Sequence, residues 1–133
     1  MPLRVVVWGT GNVGRPAIRA VLSHADLQLA GVVVANPDKV GLDAGEIAGV
    51  AATGIRATDD WQSLLASNPD AVVYTATADT RPQEAMADLL ACLAAGINVV
   101  STSFYAFLHP HSAPQEVLAP VTDVCRASGA SLF

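Results

Sequence analysis

Along the whole chain, apolar runs of strand length alternate with stretches whose apolar residues recur at helical spacing. Leu3 to Trp8, rich in valine and closed by Gly9, reads as a buried strand. From Val13 to about His24, the positions Val13, Ala17, Ile18, Val21 and Leu22 line one side of a helix. Pro16 lies close to the first turn, where backbone N–H groups have no helical acceptor, so it is tolerated there. A second strand covers Leu27 to Ala35, and Asn36-Pro37-Asp38 breaks the chain after it. Small residues from Gly41 to Gly49 predict a short helix, and Ile55 to Thr58 a third strand. Asp59 or Asp60 caps a helix that turns Trp61, Leu64 and Leu65 inward and ends at Asn68-Pro69.

Asp70 to Thr77 predicts the fourth strand. Arg81 to Ala95 follows as a helix with Met86, Leu89, Leu90 and Leu93 as its buried stripe and Gly96 as its C-terminal cap. Ile97 to Ser101 is the fifth strand. After a loop with Pro110, a helix from about Ala113 to Ser128 carries Val117, Leu118, Val121, Val124 and Cys125. Gly129 caps it, and Ala130 to Phe133 opens a sixth strand. Strict alternation of this kind predicts an α/β protein of the doubly wound Rossmann type, with a mostly parallel sheet and helices on both faces. Residues 1–133 are enough for one domain. Because the chain stops on the apolar segment Ser131-Leu132-Phe133, the expectation is the N-terminal domain of a longer protein.

Composition agrees with a well-buried fold, at 52% apolar and 14% charged residues. The net charge is −5 and the seven Lys and Arg residues are scattered, so no basic stripe offers itself to a nucleic acid. No apolar run approaches the roughly 20 residues of a membrane helix. The start of the chain has no export-signal pattern, which points to the cytoplasm. Cys92 and Cys125 fall on apolar helix positions and read as buried free thiols.

The chemistry is concentrated in Gly9-Thr10-Gly11-Asn12-Val13-Gly14. As a bare string G-x-G-x-x-G says little, but here it directly follows the first strand and opens an amphipathic helix. Gly9 makes the tight turn, Gly11 lets the backbone approach a pyrophosphate, and Gly14 lets helix and strand pack closely. Free N–H groups at the helix start face the phosphates. The other reading of these glycines is a plain strand-to-helix turn. The predicted ligand is a nicotinamide dinucleotide, NAD or NADP.

At the end of the second strand stands neutral Asn36, with Asp38 and Lys39 shortly beyond. Asn36 can bond the ribose without repelling a phosphate, and Lys39 can pair with one or be an ordinary solvated lysine. The residues do not choose between the two cofactors. Thr75-Ala76-Thr77 ends the fourth strand, while Ser101-Thr102-Ser103 follows the fifth, and Thr75, Ala76, Thr77, Ser101 and Thr102 are expected to line the nicotinamide side of the cleft. Such residues are also common at strand-to-loop junctions for reasons of turn chemistry alone.

Arg4 to Gly14, Asn36 to Gly41, Ala44-Gly45-Glu46, Thr75 to Pro82 and Gly96 to Thr102 together resemble the dihydrodipicolinate reductase-like oxidoreductases. Within that family they are most similar to the branch of 2,4-diaminopentanoate dehydrogenase and related amine dehydrogenases. The resemblance covers nearly the whole chain. It implies an NAD(P)-dependent oxidoreductase that moves a hydride between cofactor and a small amine, imine or carbonyl compound. It also implies a second, C-terminal domain, absent from this chain, that supplies the substrate pocket and dimer interface, so that the isolated domain is inactive and the enzyme a homo-oligomer. Two departures stand out. The histidine and lysine pair of the reductases is missing. Where the amine dehydrogenases are expected to place a glutamate, after the fifth strand, this chain has Ser103-Phe104-Tyr105, and its nearest acid is Glu116 in the next helix.

For proton handling near the cleft the chain offers Tyr105, His109 and His111, with Tyr105 the candidate to face a substrate. His109-Pro110-His111 lacks a third ligand, so no metal is expected. The missing catalytic half leaves a second reading open, a non-catalytic nucleotide-binding or regulatory module.

Overall fold

In a computed structural model describing residues 1–133, the valines of β1 (Leu3–Trp8) point alternately into two separate cores. Val5 and Val7 meet Ile18 and Val21 of α1 (Gly14–Ser23), with Leu29 and Val32 of β2 (Leu27–Val33) and Ala44 and Ala48 of α2 (Ala44–Ala48). Val6 and Trp8 face the other way, toward Leu65 of α3 (Trp61–Ala66) and Leu89 and Leu93 of α4 (Pro82–Ala94). Val72 and Tyr74 of β3 (Ala71–Tyr74) and Val99 of β4 (Asn98–Ser101) join that second core, which α5 (Gln115–Ser128) enters through Val121. Period-two alternation in the strands therefore builds the three layers, helix on sheet on helix. Ile18, Leu89 and Leu93 are wholly enclosed, and burial of each contributes about 1.5–3 kcal/mol.

The sheet runs β2-β1-β3-β4, and every strand pair is parallel. From β1 the chain goes to one side for β2 and returns to the other for β3. All four carboxyl ends share one edge, and the reversal opens a crevice at the ends of β1 and β3, where sheets of this kind take ligands. No helix is long and apolar enough to cross a membrane.

Two predicted strands exist only as single bridges. Thr58 pairs with β2 through Thr58 N–H to Val32 O (3.0 Å) and Val34 N–H to Thr58 O (2.9 Å). The preceding residues turn away to bond residues 41–44, with Gly41 N–H to Ala57 O and Ala44 N–H to Ile55 O. One short segment thus divides its backbone bonds between two neighbours and makes a ladder with neither. At the far edge, Ser131 and Phe133 exchange three backbone bonds with Val99 and Ser101, a single bridge centred on Leu132. The loop after β4 is not wholly irregular, since Tyr105–Phe107 and Pro110–Ser112 are 3-10 turns. Of the two thiols, Cys92 is buried as expected but Cys125 is only half-buried.

Candidate functional site

Gly9 leaves β1 at φ +108°, a conformation that L side chains rarely adopt. A Cβ there would also stand 2.6 Å from Thr75 Oγ1. Gly14, the first residue of α1, packs so closely on this turn that its Cβ would lie 1.9 Å from the Gly9 carbonyl oxygen. Gly11 is different: a Cβ at Gly11 would meet nothing within 4 Å. The first and last glycines close the turn, and the middle one opens on free space.

Around that space the backbone is unsatisfied. No amide from Thr10 to Gly14 donates to a protein acceptor, and the first bonds of the helix are Arg15 N–H to Gly11 O and Ala17 N–H to Val13 O. α1 has no side-chain cap and no acid in its first turn. It carries Arg15 instead, whose guanidinium bonds Asn12 Oδ1 (3.3 Å). The turn thus carries five amides without a protein acceptor at the positive end of a helix.

Two cavities flank the turn. One, of about 410 Å³, lies between the ends of β1 and β2 and is lined by Trp8, Thr10, Ala35, Asn36, Trp61 and Arg81 among others. The second, of about 320 Å³, is lined by Val13, Thr75, Asp79, Thr102, Ser103 and Tyr105 among others. Ala76 and Thr77 border both. Lys39 lies beside the first, with Nζ donating to Thr10 O and Thr10 Oγ1 at 3.1 Å each.

Most of the residues singled out from the sequence therefore gather around these cavities at the carboxyl edge of the sheet; Ser101 ends β4 at that edge but faces neither cavity. Its hydroxyl donates to Tyr74 O (2.8 Å) and accepts from Ser103 N–H (3.0 Å), so it fastens the end of β4 to β3 and lines neither cavity. Thr75 also donates inward, to Trp8 O, yet still borders the second cavity. Tyr105 is 63% exposed and belongs both to that cavity and to an apolar groove between α4 and α5. His109 and His111 border neither cavity; His109 Nδ1 pairs with Ser112 Oγ.

Sequence reasoning missed the cluster beneath the first cavity. Tyr74 donates to Asp88 Oδ2 (2.7 Å), and Arg81 reaches both the Tyr74 hydroxyl (3.2 Å) and Asp88 (3.3 Å). Asp88 is 8% exposed on the inner face of α4. Burial, then the bond to Asp88, holds the Tyr74 hydroxyl well above its ordinary pKa. Burial lowers the Arg81 pKa, but its bonds to Tyr74 and Asp88 outweigh that and leave it raised. The cluster fixes Arg81 at the cavity wall. Behind it Trp61, Trp8, Tyr74 and Phe104 follow one another with ring centroids 5.3–5.4 Å apart. A polar residue amid the small and apolar positions Ala85, Leu89 and Cys92 was the only available signal.

Comparison with known proteins brings this geometry into a family. The model of the dihydrodipicolinate reductase N-terminus matches residues 3–105. An amine dehydrogenase of Streptomyces virginiae is 48% identical over 132 residues, which is 98% of this chain and 37% of that protein. A 4-hydroxy-tetrahydrodipicolinate reductase of Rippkaea orientalis is 32% identical over 97 residues, 72% of this chain and 35% of the other. Among solved structures, the amine dehydrogenase from Mycobacterium smegmatis superposes with a TM-score of 0.84 at 27% identity, over 99% of this chain and 38% of that one. The chain thus spans little more than a third of the length of these relatives.

Proposed function

The chain belongs to the family of the dihydrodipicolinate reductase N-terminus, and we propose from this and the turn geometry that it is the NAD(P)-binding domain of an oxidoreductase. The observation that carries the reading is the set of five free amides, Thr10 to Gly14, around the open space at Gly11. A pyrophosphate bound there is held by backbone donors at a helix N-terminus. The cavity of Trp8, Trp61 and Arg81 would hold the adenosine, and that of Thr75, Thr77 and Thr102 the nicotinamide riboside.

Bound nicotinamide supplies or accepts the hydride. The chain's own part is to bind and orient it, and to place Tyr105 and Asp79, the titratable residues of the second cavity, beside the substrate. A small amine, imine or carbonyl substrate fits the kinship with amine dehydrogenases and the tetrahydrodipicolinate reductase. Residues 1–133 then form the N-terminal domain of a cytoplasmic homo-oligomeric enzyme, whose second domain completes the substrate pocket; alone they are inactive.

Gly11→Val tests the reading. Gly11 has no positive φ and its Cβ meets no protein atom, so the variant folds with unchanged thermal stability while the side chain fills the phosphate's approach. Calorimetric titration is expected to show dinucleotide binding by the parent chain and its loss in Gly11→Val. Equal binding by both chains, or no binding of NADH or NADPH by the parent at millimolar concentration, refutes the proposal.

A further inference from the structure

We propose that the groove between α4 and α5 is a binding site for an amphiphilic organic cation, an apolar body carrying an ammonium group. The groove holds about 660 Å³, more than either cavity beside the glycine turn and within the range that takes a small organic molecule. Gln83, Met86 and Leu90 stand three and four residues apart and so share one stripe of α4. Glu116, Val117 and Pro120 do the same on α5. The loop after β4 adds Phe104, Tyr105 and Phe107.

The apolar wall is in place before any ligand arrives. Phe104 stacks on the buried ring of Tyr74, with centroids 5.3 Å apart, and Phe107 follows at 6.3 Å. Met86, Leu90, Phe104 and Phe107 are half-buried: each packs on the core and still lines the groove.

Charge decides which apolar molecule fits. Asp79 and Glu116 line the groove, whereas no Lys, Arg or His does. Neither carboxylate is in an ion pair, since the chain's one ion pair joins Arg81 to Asp88. Pro120 adds a further acceptor. It stands inside α5 without an N–H, so the carbonyl oxygen of Glu116, four residues before it, loses its helical donor. The faces of the aromatic rings also attract a cation. An anion would meet two carboxylates here, and a neutral molecule would leave them without a counter-charge.

The groove shares Ala78, Asp79, Ser103 and Tyr105 with the second cavity, so the two adjoin. Binding in the groove requires no dinucleotide. Only its use rests on the reading above, under which the groove receives the apolar substituent of an amine substrate.

Nuclear magnetic resonance of isotope-labelled methionine methyls tests the site in the 133-residue chain. The chain has two methionines, Met86 in the groove and the fully exposed Met1 as an internal control. With butyl-, hexyl- and octylammonium the Met86 signal is expected to shift saturably while Met1 stays in place. Affinity should rise by up to about fourfold per methylene. At low salt hexylammonium is expected to bind about three- to fivefold more tightly than hexanol, the scale of an exposed ion pair, and hexanoate least. Glu116→Gln lowers the ammonium preference and Glu116→Lys turns it toward hexanoate. Glu116 is exposed, so both variants are expected to fold, which circular dichroism checks.

No saturable Met86 shift overturns the inference. Equal affinities for ammonium, alcohol and carboxylate do so too, as does an ammonium preference unchanged in both variants. A Met86 shift that grows with protein concentration alone also overturns it, because a second copy of the chain then fills the groove. NADH titrated in parallel keeps the two readings apart. NADH binding without a Met86 response to the cations refutes this inference alone, and the reverse refutes the dinucleotide reading alone.

Discussion

At the scale of single residues, the glycines of one turn do different work. Gly14 is a packing residue: an added methyl would overlap the Gly9 carbonyl, and backbone on both sides leaves no cheap relaxation. Gly14→Ala is expected to lose stability at the upper end of the roughly 1–3 kcal/mol typical of overpacking, read as a lower urea midpoint. Gly11→Val changes the midpoint little, so the two variants separate folding from binding. Tyr74 offers a further test. Burial and its bond to Asp88 raise its folded pKa above the ordinary 10.0, so the unfolded chain ionises first as pH rises. The stability tied to its neutral form is complete below pH 10 and declines above it. The Tyr74 phenolate absorbance should therefore appear together with unfolding in an alkaline titration. Ionisation of both tyrosines in a fully folded protein would contradict this.

Between elements, Asp43 holds the segment around α2 in place. Its carboxylate accepts from the amides of Thr53, Gly45 and Gly54 and from the Thr53 hydroxyl, and these bonds lower its pKa from 3.8 to about 2. A depressed pKa contributes stability above 3.8 that is lost as pH falls toward 2. Amide exchange in residues 44–54 is expected to accelerate across that window before the strands open, and Asp43→Ala to show the faster exchange already at neutral pH. These bonds also explain what could be read in advance. β1, its glycine turn and α1 are contiguous, and periodicity with turn chemistry located them within a residue or two. The site was half legible: Asn36 and Lys39 stood out by position, but the contact of Lys39 with Thr10 spans 29 residues and needs the fold. Ile55–Thr58 has strand composition, yet its backbone partners are shared between β2 and residues 41–44, a competition no local pattern records. Asp88 was overlooked and the inward bond of Ser101 was not foreseen for the same reason, since their partners lie 14 and 27 residues away.

For the whole molecule, the two faces of the sheet are unequally covered. α3, α4 and α5 close one face from β2 to β4, whereas α1 and α2 cover the other only over β1 and β2 and their near neighbours. β4 shows the consequence: Val99 is buried in the core beneath α4 and α5, while Val100, one residue on and pointing the opposite way, is 44% exposed. Leu108 and Phe133, in the loop and at the edge beside β4, are exposed as well. Under the proposal of a two-domain enzyme, this is the region that the second domain would shield, and in its absence apolar surface of this kind favours self-association. The 133-residue chain is expected to show concentration-dependent sedimentation. Val100→Lys should shift it toward monomer without lowering the melting temperature, because the replaced side chain points out of the core. A monomer at every concentration would mean that this face is stable in water as it stands, and would remove the physical reason for placing a second domain against it.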